Sequence, residues 1–141
     1  MESQKKFPVT YSFELFPPQT PEGIEKLRLT CNRLAQYHPK FFSVTFGAGG
    51  STRERTLETV LEMKAKGYVV APHLSCIGST RNNILEILEE YHQTGIQHIV
   101  ALRGDLPSGM AQAGEFRYAS ELVAFIRQEF GDWFHIDVAA Y

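Results

Sequence analysis

The chain has 141 residues, 43% of them hydrophobic, and a formal net charge of −2. That is enough for one globular domain with a sizeable core. The mixed charge offers no basic stripe for nucleic acid, and no apolar run reaches the roughly 20 residues of a membrane span. No signal-peptide core follows the first six residues, so a cytoplasmic domain is expected. Cys31 and Cys76 form neither a metal spacing nor a CxxC pair and read as inert thiols.

Strand and helix signals alternate along the chain. Residues 9–15 read as a strand, after which Thr20-Pro21 opens a helix with proline at its first position. Ile24, Leu27, Cys31 and Leu34, three and four apart, give that helix its apolar stripe. Residues 41–46 read as a second strand, and the turn Gly47-Ala48-Gly49-Gly50 leads to Ser51 or Thr52 as a helix cap. Leu57, Val60, Leu61 and Lys64 mark this second helix, with Gly67 where a left-handed terminal residue is wanted. A third strand is expected over 68–74, followed by a helix capped by Ser79 or Thr80, burying Ile84, Leu85, Leu88 and Tyr91 and stopping at Gly95. Residues 99–102 form the fourth strand. The fourth helix, 118–130, turns Leu122, Val123, Ile126 and Phe130 inward and ends at Gly131, and 134–140 is the fifth strand.

Strands alternating with helices of this length mean βαβ units and a parallel sheet, an α/β fold in one structural unit. Two architectures fit: a doubly wound open sheet, or a segment of an eight-stranded β/α barrel.

Each strand brings a polar group towards its C-terminal end: Glu14, Thr45, His73, then Arg103 with Asp105, then Tyr141. From Glu14 to Thr45, His73, Asp105 and Tyr141 the intervals are 31, 28, 32 and 36 residues, each about one βα unit. Parallel β/α proteins build their sites at that end. Taken singly, each residue also has a plain reading. Glu14 lies among Phe13, Leu15 and Phe16, where partial desolvation would suit it to hold a proton, but a nearby Lys or Arg would pair with it instead. Asp105 sits in a Gly-Asp-Leu-Pro turn, where Asp commonly bonds its own backbone. A strand histidine such as His73 is commonly structural. The turn over 47–52 has the amides of an anion cradle but lacks the P-loop lysine. His38, His92, His98 and His135 form no metal spacing, and no metal site is expected.

Six segments resemble the signatures of methylenetetrahydrofolate reductases, in the family's order. They are Ser12-Phe13-Glu14-Leu15-Phe16-Pro17-Pro18, Ser43-Val44-Thr45-Phe46-Gly47-Ala48-Gly49-Gly50-Ser51, Pro72-His73-Leu74, Leu102-Arg103-Gly104-Asp105-Leu106-Pro107, Tyr118-Ala119-Ser120 and Ala139-Ala140-Tyr141. The likeness is nearer to the compact bacterial enzymes than to eukaryotic ones, and Leu15, where Phe is commoner, is a conservative departure.

The resemblance implies a β/α eight-stranded barrel (TIM barrel) with FAD at the C-terminal ends of its strands. It implies reduction of 5,10-methylenetetrahydrofolate to 5-methyltetrahydrofolate, with NADH or NADPH as hydride donor, in one-carbon metabolism that feeds methionine biosynthesis. Glu14 would be the general acid. Thr45, His73, Arg103, Gly104, Asp105, Tyr118, Ala119 and Tyr141 would contact the flavin, with Asp105 also facing the folate and stabilising its cationic iminium. A barrel usually takes about 250 residues, so residues 1–141 are expected to be the N-terminal portion of a single catalytic barrel domain, with five strands and four helices, truncated and not fully active alone. The full-length protein is expected to be a homo-oligomer. On the residues alone, a flavin-free barrel lyase using Glu14 and Asp105, and a non-catalytic doubly wound binding module, both stay open.

Overall fold

The structure is a computed structural model that describes residues 8–46, 51–105 and 114–139, with the side chains of 51 and 52 outside the description. Strands β1 (Phe13–Leu15), β2 (Phe42–Val44), β3 (Val70–Ser75), β4 (His98–Leu102) and β5 (His135–Val138) alternate with helices α1 (Pro21–Ala35), α2 (Ser51–Ala65), α3 (Arg81–Gln93) and α4 (Ala119–Phe130).

Local chemistry sets the helix starts. The Thr20 hydroxyl accepts the Gly23 amide at 3.1 Å, and the Thr80 hydroxyl accepts that of Asn83 at 3.2 Å, each satisfying an amide the helix leaves open. At α4 the Glu121 carboxylate reaches back to the amides of Arg117 at 2.6 Å and Tyr118 at 3.3 Å. Thr80, not Ser79, is thus the α3 cap.

The five strands are parallel and lie in the order β1-β2-β3-β4-β5. That order separates the two architectures. A doubly wound sheet reverses direction at a switch point, whereas here every crossover moves one strand in the same direction. Right-handed crossovers then place the helices on one face of the sheet, as around a barrel.

The register divides the side chains between the two faces. Leu15, Val44, Leu74, Ile99 and Ala101 go to the helix side and are buried with Val60 of α2, Ile84 and Leu88 of α3 and Leu122 and Ile126 of α4. Glu14, Ser43, His73, His98, His135 and Asp137 go to the other. Both cysteines are free and buried, and burial pushes the Cys76 thiol up to about 11.

Several expectations shift. The first strand is three residues long, with Val9 and Tyr11 exposed ahead of it, and the fifth ends at Val138. The third continues to Ser75, so His73 is inside it rather than at its end. In α2 the buried face is Thr56, Thr59, Val60 and Met63, while Leu57 and Leu61 are half-buried and Lys64 is exposed. The Thr56 hydroxyl donates to the Thr45 carbonyl at 3.0 Å, and a satisfied hydroxyl can be buried. Ile87 and Phe125 are buried where the sequence favoured Leu85, Val123 and Phe130.

Candidate functional site

Glu14 and His73 stand two strands apart, yet they meet on the helix-free face, with Glu14 Oε2 3.5 Å from His73 Nε2. The register explains this. Glu14 pairs with Ser43 and Ser43 with Ala71, two residues before His73 on the same face, and two long side chains bridge the small row between them. The His73 side chain is only 9% exposed. Burial holds its imidazole below the usual histidine range, against the opposing pull of Glu14. It therefore stands beside the carboxylate as a neutral ring.

Within residues 1–141 the Glu14 side chain is 55% exposed. The cause is strand alternation: Phe13 and Leu15, the apolar neighbours that suggested a buried carboxylate, point to the opposite face. Nor does an Arg or Lys pair with it among the described residues; its partner is His73.

Beyond the strand ends, the β3–β4 pairing continues into the loops. The Cys76 amide donates to the Leu102 carbonyl at 3.2 Å, and the Ile77 amide to the Arg103 carbonyl at 2.9 Å. Gly104 then takes φ +78°, and a Cβ there would lie 2.9 Å from Ser75 Cβ. Only glycine fits that close approach in a left-handed conformation. Arg103 is exposed, and its Nε donates to the Arg117 carbonyl at 3.1 Å, linking the end of β4 to the start of α4. Tyr118 precedes α4 and Ala119 begins it. Thr45 directly follows β2 and its amide donates to the Leu15 carbonyl at 2.9 Å. Asp105 is exposed in the segment after β4.

The structure therefore joins Glu14 to His73 and Arg103 to the α4 entrance, and packs Gly104 against Ser75 and Ile77. It sets Thr45 and Asp105 on the same C-terminal side without a bond to that pair. Tyr141, the turn over 47–50, Leu106 and Pro107 lie outside the described residues.

A cavity of about 90 Å³ opens between α1 and α2, lined by Ile24, Cys31, Arg55, Met63 and Tyr68 among others. It holds none of the strand-end groups and is rimmed by the Arg28–Glu62 ion pair at 2.6 Å. We read it as a gap in helix packing.

One grouping went unseen in the sequence. His98, His135 and Asp137 come together on the free face of β4 and β5. The signal available was the alternation His135-Ile136-Asp137, which puts two ligand-type side chains on one face of a strand.

The methylenetetrahydrofolate reductase family model matches residues 1–141. The chain belongs to that family. It is 44% identical over 134 residues to the 5,10-methylenetetrahydrofolate reductases of Pectobacterium carotovorum subsp. carotovorum and Escherichia coli, covering 94% of this chain and 44% of each relative. It is 42% identical over 136 residues to Arabidopsis thaliana methylenetetrahydrofolate reductase (NADH) 1, covering 93% of this chain and 23% of that protein. The chain thus spans under half the length of these curated relatives and matches the N-terminal half of the bacterial ones. The family fold is a TIM barrel, and these five parallel strands and four helices are part of one. Among the described residues no helix is long and apolar enough to cross a membrane.

Proposed function

We propose that residues 1–141 form the N-terminal portion of the single catalytic barrel domain of a flavin-dependent methylenetetrahydrofolate reductase. Its reaction converts 5,10-methylenetetrahydrofolate to 5-methyltetrahydrofolate, with NADH or NADPH as donor. The observation that carries this reading is the Glu14–His73 contact on the helix-free face of a sheet belonging to this family.

The donor set fits FAD. Arg103 supplies an exposed cation for a diphosphate, the start of α4 at Ala119 supplies backbone N–H groups, and Thr45 and His73 supply polar contacts. Gly104 allows the chain to turn closely at the end of β4, and Tyr118 and Tyr141 complete the proposed set. When bound, FAD supplies the chemistry of hydride acceptance and donation.

The residues of the chain supply the acid chemistry. Opening the folate's five-membered ring breaks the bond between the methylene carbon and N10 and leaves the iminium on N5, so N10 takes up a proton, and Glu14 would be its donor. Its half-exposed carboxyl can be reprotonated from solvent. His73, kept neutral by burial, orients the carboxyl without adding a positive charge next to a cationic intermediate. The Asp105 carboxylate stabilises that iminium as it forms.

The test follows the two half-reactions separately. Glu14→Gln should spare flavin reduction by the nicotinamide and remove folate reduction by about 10²-fold or more. Equal loss of both, or of neither, would refute the role of Glu14. A protein in which residues 1–141 are continued by the remaining strands should also show flavin absorbance; if it folds, is colourless and takes up no added FAD, the cofactor assignment fails.

A further inference from the structure

The cluster on β4 and β5 plays no part in that reading. The parallel register pairs His98 with His135 and Val100 with Asp137, so the two imidazoles are direct cross-strand neighbours and the carboxylate lies two residues further along the same face. His98 Nε2 is 2.7 Å from Asp137 Oδ2, and His135 Nε2 is 3.6 Å from Asp137 Oδ1. The imidazole centroids are 4.6 Å apart, with the ring planes at 78°. Three potential ligand atoms, one from each residue, lie within 4.8 Å of one another.

We propose that His98, His135 and Asp137 form a binding site for a divalent transition-metal ion of the zinc or cobalt type. Bonds of 2.0–2.2 Å in a tetrahedral site hold neighbouring ligand atoms about 3.4 Å apart. One carboxylate oxygen stands 2.7 Å from His98 and the other 3.6 Å from His135, so side-chain rotations that bring a single oxygen and the two ring nitrogens to that spacing admit an ion in place of the His98–Asp137 hydrogen bond. Two imidazoles and one carboxylate suit zinc, cobalt, nickel or copper, whereas magnesium and calcium prefer oxygen ligands.

The alternative occupant is no ion at all, only a hydrogen-bonded His98–Asp137 pair. His135 goes beyond that simpler arrangement, because besides packing on the His98 ring it brings its own Nε2 to 3.6 Å from the second carboxylate oxygen. The site is also anchored and, within residues 1–141, open to solvent. His98 is buried and packs against the Phe41 ring with centroids 4.3 Å apart, while the side chains of His135 and Asp137 are 61% and 39% exposed. Water can fill the remaining positions, as in three-ligand zinc centres. Lys40 is near enough to act on His98, and its positive charge limits the affinity.

Titration of the metal-free protein with cobalt(II), read as visible absorbance, tests the site. One saturable equivalent is expected, with bands of a low-coordinate ion that zinc displaces. His135→Ala, at an exposed position, and Asp137→Asn, which keeps the side-chain shape, should each weaken cobalt binding at least about 10-fold. His38→Asn should leave it unchanged, since Asn tolerates the positive φ at that position. Absence of a saturable band, or an affinity equal to the parent's in either the His135 or the Asp137 variant, overturns the proposal and leaves the metal-free pair.

Discussion

The two faces of this sheet are built from the same short strands and follow opposite rules. The helix side carries Leu15, Val44, Leu74, Ile99 and Ala101, all buried. The free side carries Glu14, Ser43, His73, His98, His135 and Asp137, with three of those side chains more than a third exposed. Because a strand alternates its side chains, stability and chemistry occupy neighbouring positions while facing different surroundings. A residue one step along a strand can change one property and leave the other nearly untouched.

The sharpest test of that separation uses adjacent residues of β4. Ile99 is fully buried on the helix side, and Val100 is half-buried on the free side. Ile99→Ala should cost about 2–5 kcal/mol, the range for a core aliphatic truncation. Val100→Ala should cost roughly 1 kcal/mol or less, because fewer methyl groups leave a buried environment. Urea denaturation with an unchanged slope would measure both; equal losses would break the comparison.

A smaller effect is expected where the two roles meet, at Gly104. An alanine there would be forced to keep φ +78° with its Cβ 2.9 Å from Ser75 Cβ, which costs roughly 1–3 kcal/mol if the turn is retained. Flavin affinity should fall with it, because the turn follows Arg103, whose side chain reaches the entrance of α4. A variant as stable as the parent would show that the turn had relaxed into another form.

How far these features could be read in advance depends on how local their causes are. Thr20 and Thr80 announce their helices because the cap and its partner amide lie three residues apart. The spacing from Glu14 to Thr45, His73 and Asp105 exposed the strand-to-strand rhythm, and the family segments made the barrel legible. Strand lengths were less so: the strand expected from residue 9 begins at Phe13, although the Tyr11 carbonyl still accepts the Lys40 amide. Phe13 and Leu15 adjoin Glu14 in sequence but not in space, because neighbouring strand residues face opposite sides. The grouping of His98 with His135 and Asp137 spans 37 and 39 residues and depends on the register of two strands, which no local pattern fixes.

The smallest expected effect, and the one that most directly sharpens the contrast between faces, is the response of His73 to acid. Burial lowers its affinity for protons in the folded protein, while Glu14 partly offsets that cost. As pH falls, the unfolded chain therefore takes up this proton before the folded one does, and stability must decline. The contribution is complete above the unfolded histidine value of about 6.5, begins to fade below it, and is lost as pH drops through the folded value. His73→Gln removes the titration while keeping a polar side chain, so the difference in Tm between parent and variant should shrink as pH falls from 7.5 towards 5. A difference that stays constant over that range would mean that His73 takes up protons as readily when folded as when unfolded. It could then no longer be the neutral partner that Glu14 needs.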